Sequence, residues 1–409
     1  MRSDVPAGVN LISRAVALLR ADDPLRVELI PNLRVIQSLS EVSELSWADR
    51  ALTEAVEAAA TTGDRRLAAH ALVQRGLLRL FTEANVTSQE ILQTAQQAID
   101  AFEVLGDELG LARAWRLAAQ GHYLARVAEA SAEAAERALD HARRAGDRLE
   151  QVEVVEWLLI ALLFGPCPAV EGGDRCRRLL RDVAGRPELK ARVAGALAWF
   201  EAAQGNVETS RELLADARRA MDDHGEIIGF VTFYGASTLM LADDQAEAEA
   251  LLHVGYDGLR RMGRTGHYGA IALRLAQLSY AKGLLEEAET YLEEVPRRLR
   301  ANDVWDQSHW RAERAKILAR RGEFAPGEQL VREAVAFATA SDFLTAQADA
   351  SLDVGEVLRL AGRHEEAAAA IADAINLYDR KGNISASSRA RDVLEELQRG
   401  QGEHPRGRA

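Results

Sequence analysis

Cysteine is almost absent from this chain of 409 residues, which has only Cys167 and Cys176. They stand nine positions apart with no third or fourth ligand nearby. That excludes a disulfide framework and a thiolate zinc site, and the expected state is two free thiols in a reducing cytoplasm. Aromatics are scarce at 5%. Strand signals are missing too, because no run alternates β-branched with polar residues and no Asn-Gly pair marks a hairpin. The longest apolar run, Trp157 to Phe164, has eight residues, against about 20 for a membrane span. The first residues, MRSDVPAGVNLISRAVALLR, carry Asn10, Ser13 and Arg14 where a signal peptide needs an unbroken apolar segment.

Positive charge is also in deficit. A formal net charge of −13 argues against general binding to nucleic acid or an anionic membrane, since phosphate contacts need clustered cations. The basic stretches Arg175–Arg192 and Arg297–Arg321 alternate with carboxylates at helical spacing and read as solvated faces. There are only four lysines, Lys190, Lys282, Lys316 and Lys381, and none follows a glycine, so no phosphate-binding P-loop is present. No His-Glu-x-x-His, no Gly-x-Ser-x-Gly and no metal-spaced histidine pair occurs. Gly263, Gly266 and Gly269 in MGRTGHYGA have phosphate-loop spacing but lack the preceding strand of a dinucleotide fold. The chain is expected to be non-enzymatic, with no metal and no cofactor.

What is abundant is helix. Apolar residues reach 48%, and the bulk is Ala, Leu, Arg and Glu, all strong helix formers. The chain also repeats itself. Gly205, Asp243, Gly283, Gly322 and Gly362 each interrupt an apolar-periodic run at steps of about 40 residues. Upstream, Gly63-Asp64, Gly106-Asp107 and Gly146-Asp147 punctuate the chain at similar steps. In each pair the glycine ends one helix in the left-handed conformation and the aspartate caps the next.

Aligned on the turn, five units place small residues at three offsets: Ala198, Ser210, Ala217; Ala236, Ala248, Gly255; Ala276, Ala288, Val295; Ala315, Gly327, Ala334; and Gly355, Ala367, Ala374. Only the valine strains the rule. Small side chains there let neighbouring helices approach closely. A larger apolar residue falls between the last two, at Leu214, Leu252, Leu292, Val331 and Ile371. This pattern resembles the tetratricopeptide repeat, with helices longer by nearly a turn. The expected fold is an all-α, right-handed solenoid spanning residues 1–399. It has about nine helix pairs, a lone helix at each end and a disordered tail over 400–409.

Several stretches resemble a narrower family. WRAERAKILARRGEF, SDFLTAQADASLDVGEVLRLAGRHEEA and INLYDRKGN, with GDELGLARAWRLAA, ALDHARRAGDR and LLFGPCP upstream, are similar to the C-terminal helical region of large bacterial signalling proteins. In those, a class III adenylate/guanylate cyclase domain and a P-loop ATPase module precede tetratricopeptide repeats. The resemblance implies a cytoplasmic regulatory region acting on such a module, in one chain or between chains. No catalytic residue of that family carries over.

Binding is therefore the expected function. First helices of each pair should line a concave surface, and the small-residue register places Trp199, Phe230, Phe233, Tyr280, His309, Lys316 and Arg320 on it, with Arg116, Tyr123 and Arg359 elsewhere along it. Aromatics beside cations suit capture of an extended peptide or partner segment bearing carboxylates. A small-ligand pocket in the same groove, or burial of Phe230 and Phe233 in the core, are the competing readings. Trp115, Trp157, Trp305 and Trp310 read as packing residues.

Overall fold

A computed structural model describes residues 5–29, 46–83, 85–183, 185–222, 228–261, 268–295 and 303–402. Every regular element among them is a helix. After α1 (Val5–Leu18) come α2 (Pro24–Glu28), α3 (Ser46–Thr62), α4 (Arg65–Thr82), α5 (Ser88–Leu105), α6 (Glu108–Leu124), α7 (Ala128–Arg144) and α8 (Arg148–Phe164). The next six are α9 (Ala169–Asp182), α10 (Pro187–Ala203), α11 (Val207–Asp222), α12 (Ile228–Leu241), α13 (Gln245–Arg261) and α14 (Tyr268–Ala281). The last six are α15 (Leu285–Glu294), α16 (Val304–Arg320), α17 (Phe324–Thr339), α18 (Leu344–Leu360), α19 (His364–Lys381) and α20 (Ile384–Gly402). Helices α2 to α19 fall into nine consecutive pairs, an all-α, tetratricopeptide-like arrangement. Gly263 and Gly266 lie outside the described residues, as do positions 403–409; residues 400–402 are helical.

The turns form as the sequence dictates. Gly63, Gly106 and Gly146 have φ of +73°, +62° and +68°, and the following aspartates cap the next helices. The N–H groups of Leu67, Gly110 and Glu150 donate to Asp64, Asp107 and Asp147 at 3.0, 2.9 and 2.8 Å. Asp243, with φ of +61°, takes the left-handed place that glycine fills in the neighbouring repeats. A short polar side chain tolerates that conformation better than most.

The small-residue register is a packing rule. Ala198, Ala217, Ala236, Ala248, Ala276, Ala288, Ala315, Ala334, Ala367 and Ala374 are all fully buried. Ser210, twelve residues after Ala198, donates its hydroxyl to the Ala198 carbonyl at 2.8 Å. Ser131 repeats the bond with Ala119 at 2.8 Å, extending the register upstream. A methyl group on Gly355 would lie 2.6 Å from Ile371 Cγ1 and 3.3 Å from the Ala367 carbonyl.

The chain divides into two compact units: Met1–Ala161 with Leu259–Gly266, and Leu162–Gly258 with His267–Ala409. In the first unit, Val16, Val27, Leu52, Leu67 and Leu78 anchor one apolar core. Arg116, fully buried, donates through Nε and Nη2 to Glu150 at 2.5 and 3.1 Å, and Tyr123 packs edge-on against Trp157. In the second unit the first helices of successive pairs, α10, α12, α14, α16 and α18, pack on one another in sequence. They form a continuous inner layer.

That unit also closes on itself. Lys381, the last residue of α19, is wholly buried. Its ammonium donates to the carbonyls of Leu162, Gly165 and Cys167 at 2.8, 2.7 and 2.8 Å. On α20, Ser385 donates to the Ala202 carbonyl at 2.6 Å and Arg389 to that of Leu241 at 2.8 Å.

Candidate functional site

The inner layer of the second unit begins with aromatic rings. Phe233 on α12 meets Trp305 on α16 edge to face, 4.9 Å between centres. Phe164 reaches Tyr234, Trp305 and Phe343 at 6.2 to 6.4 Å. Rings from four separate elements thus fill the space between the first helices. Trp199 and Phe233 point inward as the register requires, but they are buried at 7% and 4% exposure and belong to this packing. The side chain of Phe230 lies outside the described residues.

Beside the rings runs a polar network. His309, also buried, stacks on Trp305 at 4.2 Å. Its Nδ1 faces the Trp305 carbonyl at 2.8 Å and its Nε2 faces Asp349 at 2.9 Å. Tyr378 donates its hydroxyl to the other Asp349 oxygen at 2.5 Å. Burial alone would raise the Asp349 carboxyl, but these hydrogen bonds hold it below the usual range. One turn further along α16, Lys316 bridges Glu313 at 2.6 Å and Asp353 at 2.9 Å. Burial opposes the Lys316 ammonium, yet the two flanking carboxylates raise its pKa above the ordinary lysine value. Burial conversely pushes the Glu313 carboxyl up despite its lysine partner.

The network ends in an accessible rim. Arg320 Nε donates to the Tyr280 hydroxyl, which donates to Glu356, each at 3.1 Å. Arg359 donates to the second Glu356 oxygen at 2.8 Å. Burial pushes the Tyr280 hydroxyl up to about 12, with Glu356 adding to the effect and Arg320 opposing it. The Arg320 and Arg359 side chains keep 43% and 38% of their surface in solvent. Helices α14, α16 and α18 therefore present one cationic edge with a hydroxyl and a carboxylate set into it.

Of the sequence-derived candidates, Tyr280, Lys316 and Arg320 are brought together. His309 joins the deeper network, while Trp199 and Phe233 lie among the packed rings. Sequence reading missed Arg274, Asp349, Asp353, Glu356 and Tyr378. A signal was present, because His309 and Asp349 are separated by 40 residues, as are Tyr280 and Arg320. That separation is one repeat. Among the described residues, no three His, Cys, Asp or Glu side chains converge to hold a metal, and no helix is long and apolar enough to cross a membrane.

No family model matches this sequence, and no curated protein matches it either. Likeness appears among solved structures. The Cut9–Hcn1 hetero-tetramer of the APC/C aligns over 96% of this chain and 81% of that chain, at 10% identity and a TM-score of 0.52. The apo quorum sensor NprR from B. thuringiensis aligns over 82% of this chain and 98% of its own, at 14% identity and a TM-score of 0.50. A signal-transduction ATPase with a tetratricopeptide repeat sensor, from Pyrococcus horikoshii, aligns over 92% and 69% at 13% identity and a TM-score of 0.43. The chain is a tetratricopeptide-like helical-repeat protein.

Proposed function

We propose that this chain is a protein-interaction or sensor solenoid that binds an extended peptide or partner segment along the inner layer of its second unit. The carrying observation is the rim of Tyr280, Arg320, Glu356 and Arg359. Three successive first helices place two half-exposed guanidinium groups, a hydroxyl and a carboxylate side by side. Donors and acceptors spaced along parallel helices suit an extended backbone with acidic side chains. Proteins of similar fold give the reading its context: one is a hetero-tetramer of Cut9 with Hcn1, and another is a quorum sensor. The stretches resembling cyclase–ATPase signalling proteins point to a bacterial regulatory setting, with an ATPase or cyclase module as the controlled partner. The role is binding, with no catalysis of its own.

Peptide display against the purified full chain tests this. Selected sequences should be rich in Asp and Glu. They should bind R320E/R359E at least about tenfold more weakly than wild type, with a loss that shrinks at high salt. Failure to enrich any peptide, or equal binding by the double variant, would overturn the rim as the site. Saturable thermal stabilisation by small metabolites alone would favour a small-ligand sensor.

A further inference from the structure

Arg274 on α14 stands out in the second unit. Its guanidinium carbon lies 4.5 Å from the Trp305 ring centre and 5.5 Å from that of Phe233. Nη1 donates to Gln277 Oε1 at 2.8 Å. The opposite edge of the fork has no partner among the described residues, and its Nε is buried without an acceptor. No carboxylate pairs with this cation; Asp349, Glu313 and Asp306 act on it only from a distance. Two of these are engaged elsewhere, Asp349 with His309 and Tyr378, and Glu313 with Lys316. The third, Asp306, is a poor counter-ion, because burial and the adjacent Asp303 push its carboxyl well above the usual range.

A buried cation without a counter-charge is costly. Desolvation of Arg274 accordingly lowers its pKa. What the fold leaves open is the Nε–Nη2 edge, the side of an arginine that grips a planar oxyanion with two parallel hydrogen bonds. Stacking on Trp305 and Phe233 fixes the plane of that edge. The occupant should be flat and singly charged, since three acidic side chains nearby would repel a phosphate dianion more strongly than a carboxylate. Arg274 also sits six residues before Tyr280 on the same helix, about 9 Å along its axis. One extended peptide could reach both.

We propose that Arg274, stacked on Trp305 and Phe233, is the receptor for a carboxylate group of the peptide that binds this inner layer. The inference rests on the binding function proposed above and adds the chemistry of the anchor. The residue is kept as an unpaired cation because the ligand supplies its counter-charge.

The test is thermal-shift titration of the full chain with four probes. These are a pool of short peptides lacking Asp and Glu with free C-termini, the same pool amidated, an amidated pool containing Glu, and inorganic phosphate. The free-acid pool, the Glu pool or both should raise Tm saturably, and the neutral amidated pool should not; which of the two acts tells a terminal from a side-chain carboxylate. R274Q, which keeps a polar side chain without the charge, should weaken that binding at least about tenfold. R274M should raise the Tm of the ligand-free chain, because it removes an uncompensated buried charge.

Equal binding of the neutral amidated pool, unchanged binding by R274Q, a preference for phosphate, or a lowered Tm in ligand-free R274M would each overturn the assignment. If the neutral pool binds and that binding is lost in R320E/R359E, the binding function stands and only the anchor falls. If no pool binds, both fall.

Discussion

His309 and Asp349 occupy the same position in successive first helices, so their pairing depends on the repeat rather than on local sequence. With Tyr378 they close a buried chain of hydrogen bonds around one carboxylate. Because the folded Asp349 carboxyl sits below its ordinary value, the stability it contributes is present above the unfolded carboxylate pKa. It is lost as pH falls through the folded value. Asp349→Asn should cost about 2 kcal/mol near neutrality, and the gap from wild type should narrow in acid. Urea midpoints at pH 7 and pH 3 measure it. A gap unchanged between the two would mean that the carboxylate's charge is immaterial. At this scale the sequence was half legible. Register alone placed Tyr280, Lys316 and Arg320 together, since period and face are local properties. It could not foresee that Trp199 and Phe233 would be covered, because that depends on how closely distant first helices converge.

Among the helices, the small-residue register is the most readable feature of the chain. It is imposed by backbone approach, and a single extra carbon is felt. Ala374 is fully buried in the cluster that joins α18, α19 and α20. Ala374→Leu should destabilise the second unit by about 1–3 kcal/mol through overpacking, read as a lower denaturant midpoint. An unchanged midpoint would show that α19 has slack against its neighbours. Second helices are linked differently, by exposed ion pairs such as Arg218–Glu247, Lys282–Glu249 and Arg363–Glu328. Pairs of that kind contribute little each. Turn positions were legible where glycine marks them. Arg126, with φ of +67°, carries no such mark in sequence and emerged only from the backbone.

Across the whole chain the least legible feature is the role of Lys381. Nothing near it hints at partners more than 200 residues away, and a lysine among charged neighbours on α19 reads as a surface residue. Burial lowers its ammonium from 10.5 to about 7. The unfolded chain therefore holds a proton that the folded chain releases between those values, and stability from this group grows as pH rises across that window. Lys381→Met strands three carbonyls and should cost about 3 kcal/mol. The deficit should be larger at pH 9 than at pH 7 by denaturant unfolding. A variant as stable as wild type at both values would show that the apolar contacts of α19 and α20 suffice for closure.

The same clasp sets an order of events during synthesis. In an open repeat array each pair can settle on the one before it as the chain leaves the ribosome. Here the turn after α8 presents three carbonyls whose donor is made more than 200 residues later. The first hairpin of the second unit must wait, half-finished, for the last. Contacts so distant in sequence slow folding and lengthen the time that apolar surface is exposed. A nascent chain stalled anywhere before Lys381 would carry the second unit unlocked, and that is the stage at which chaperones would find it.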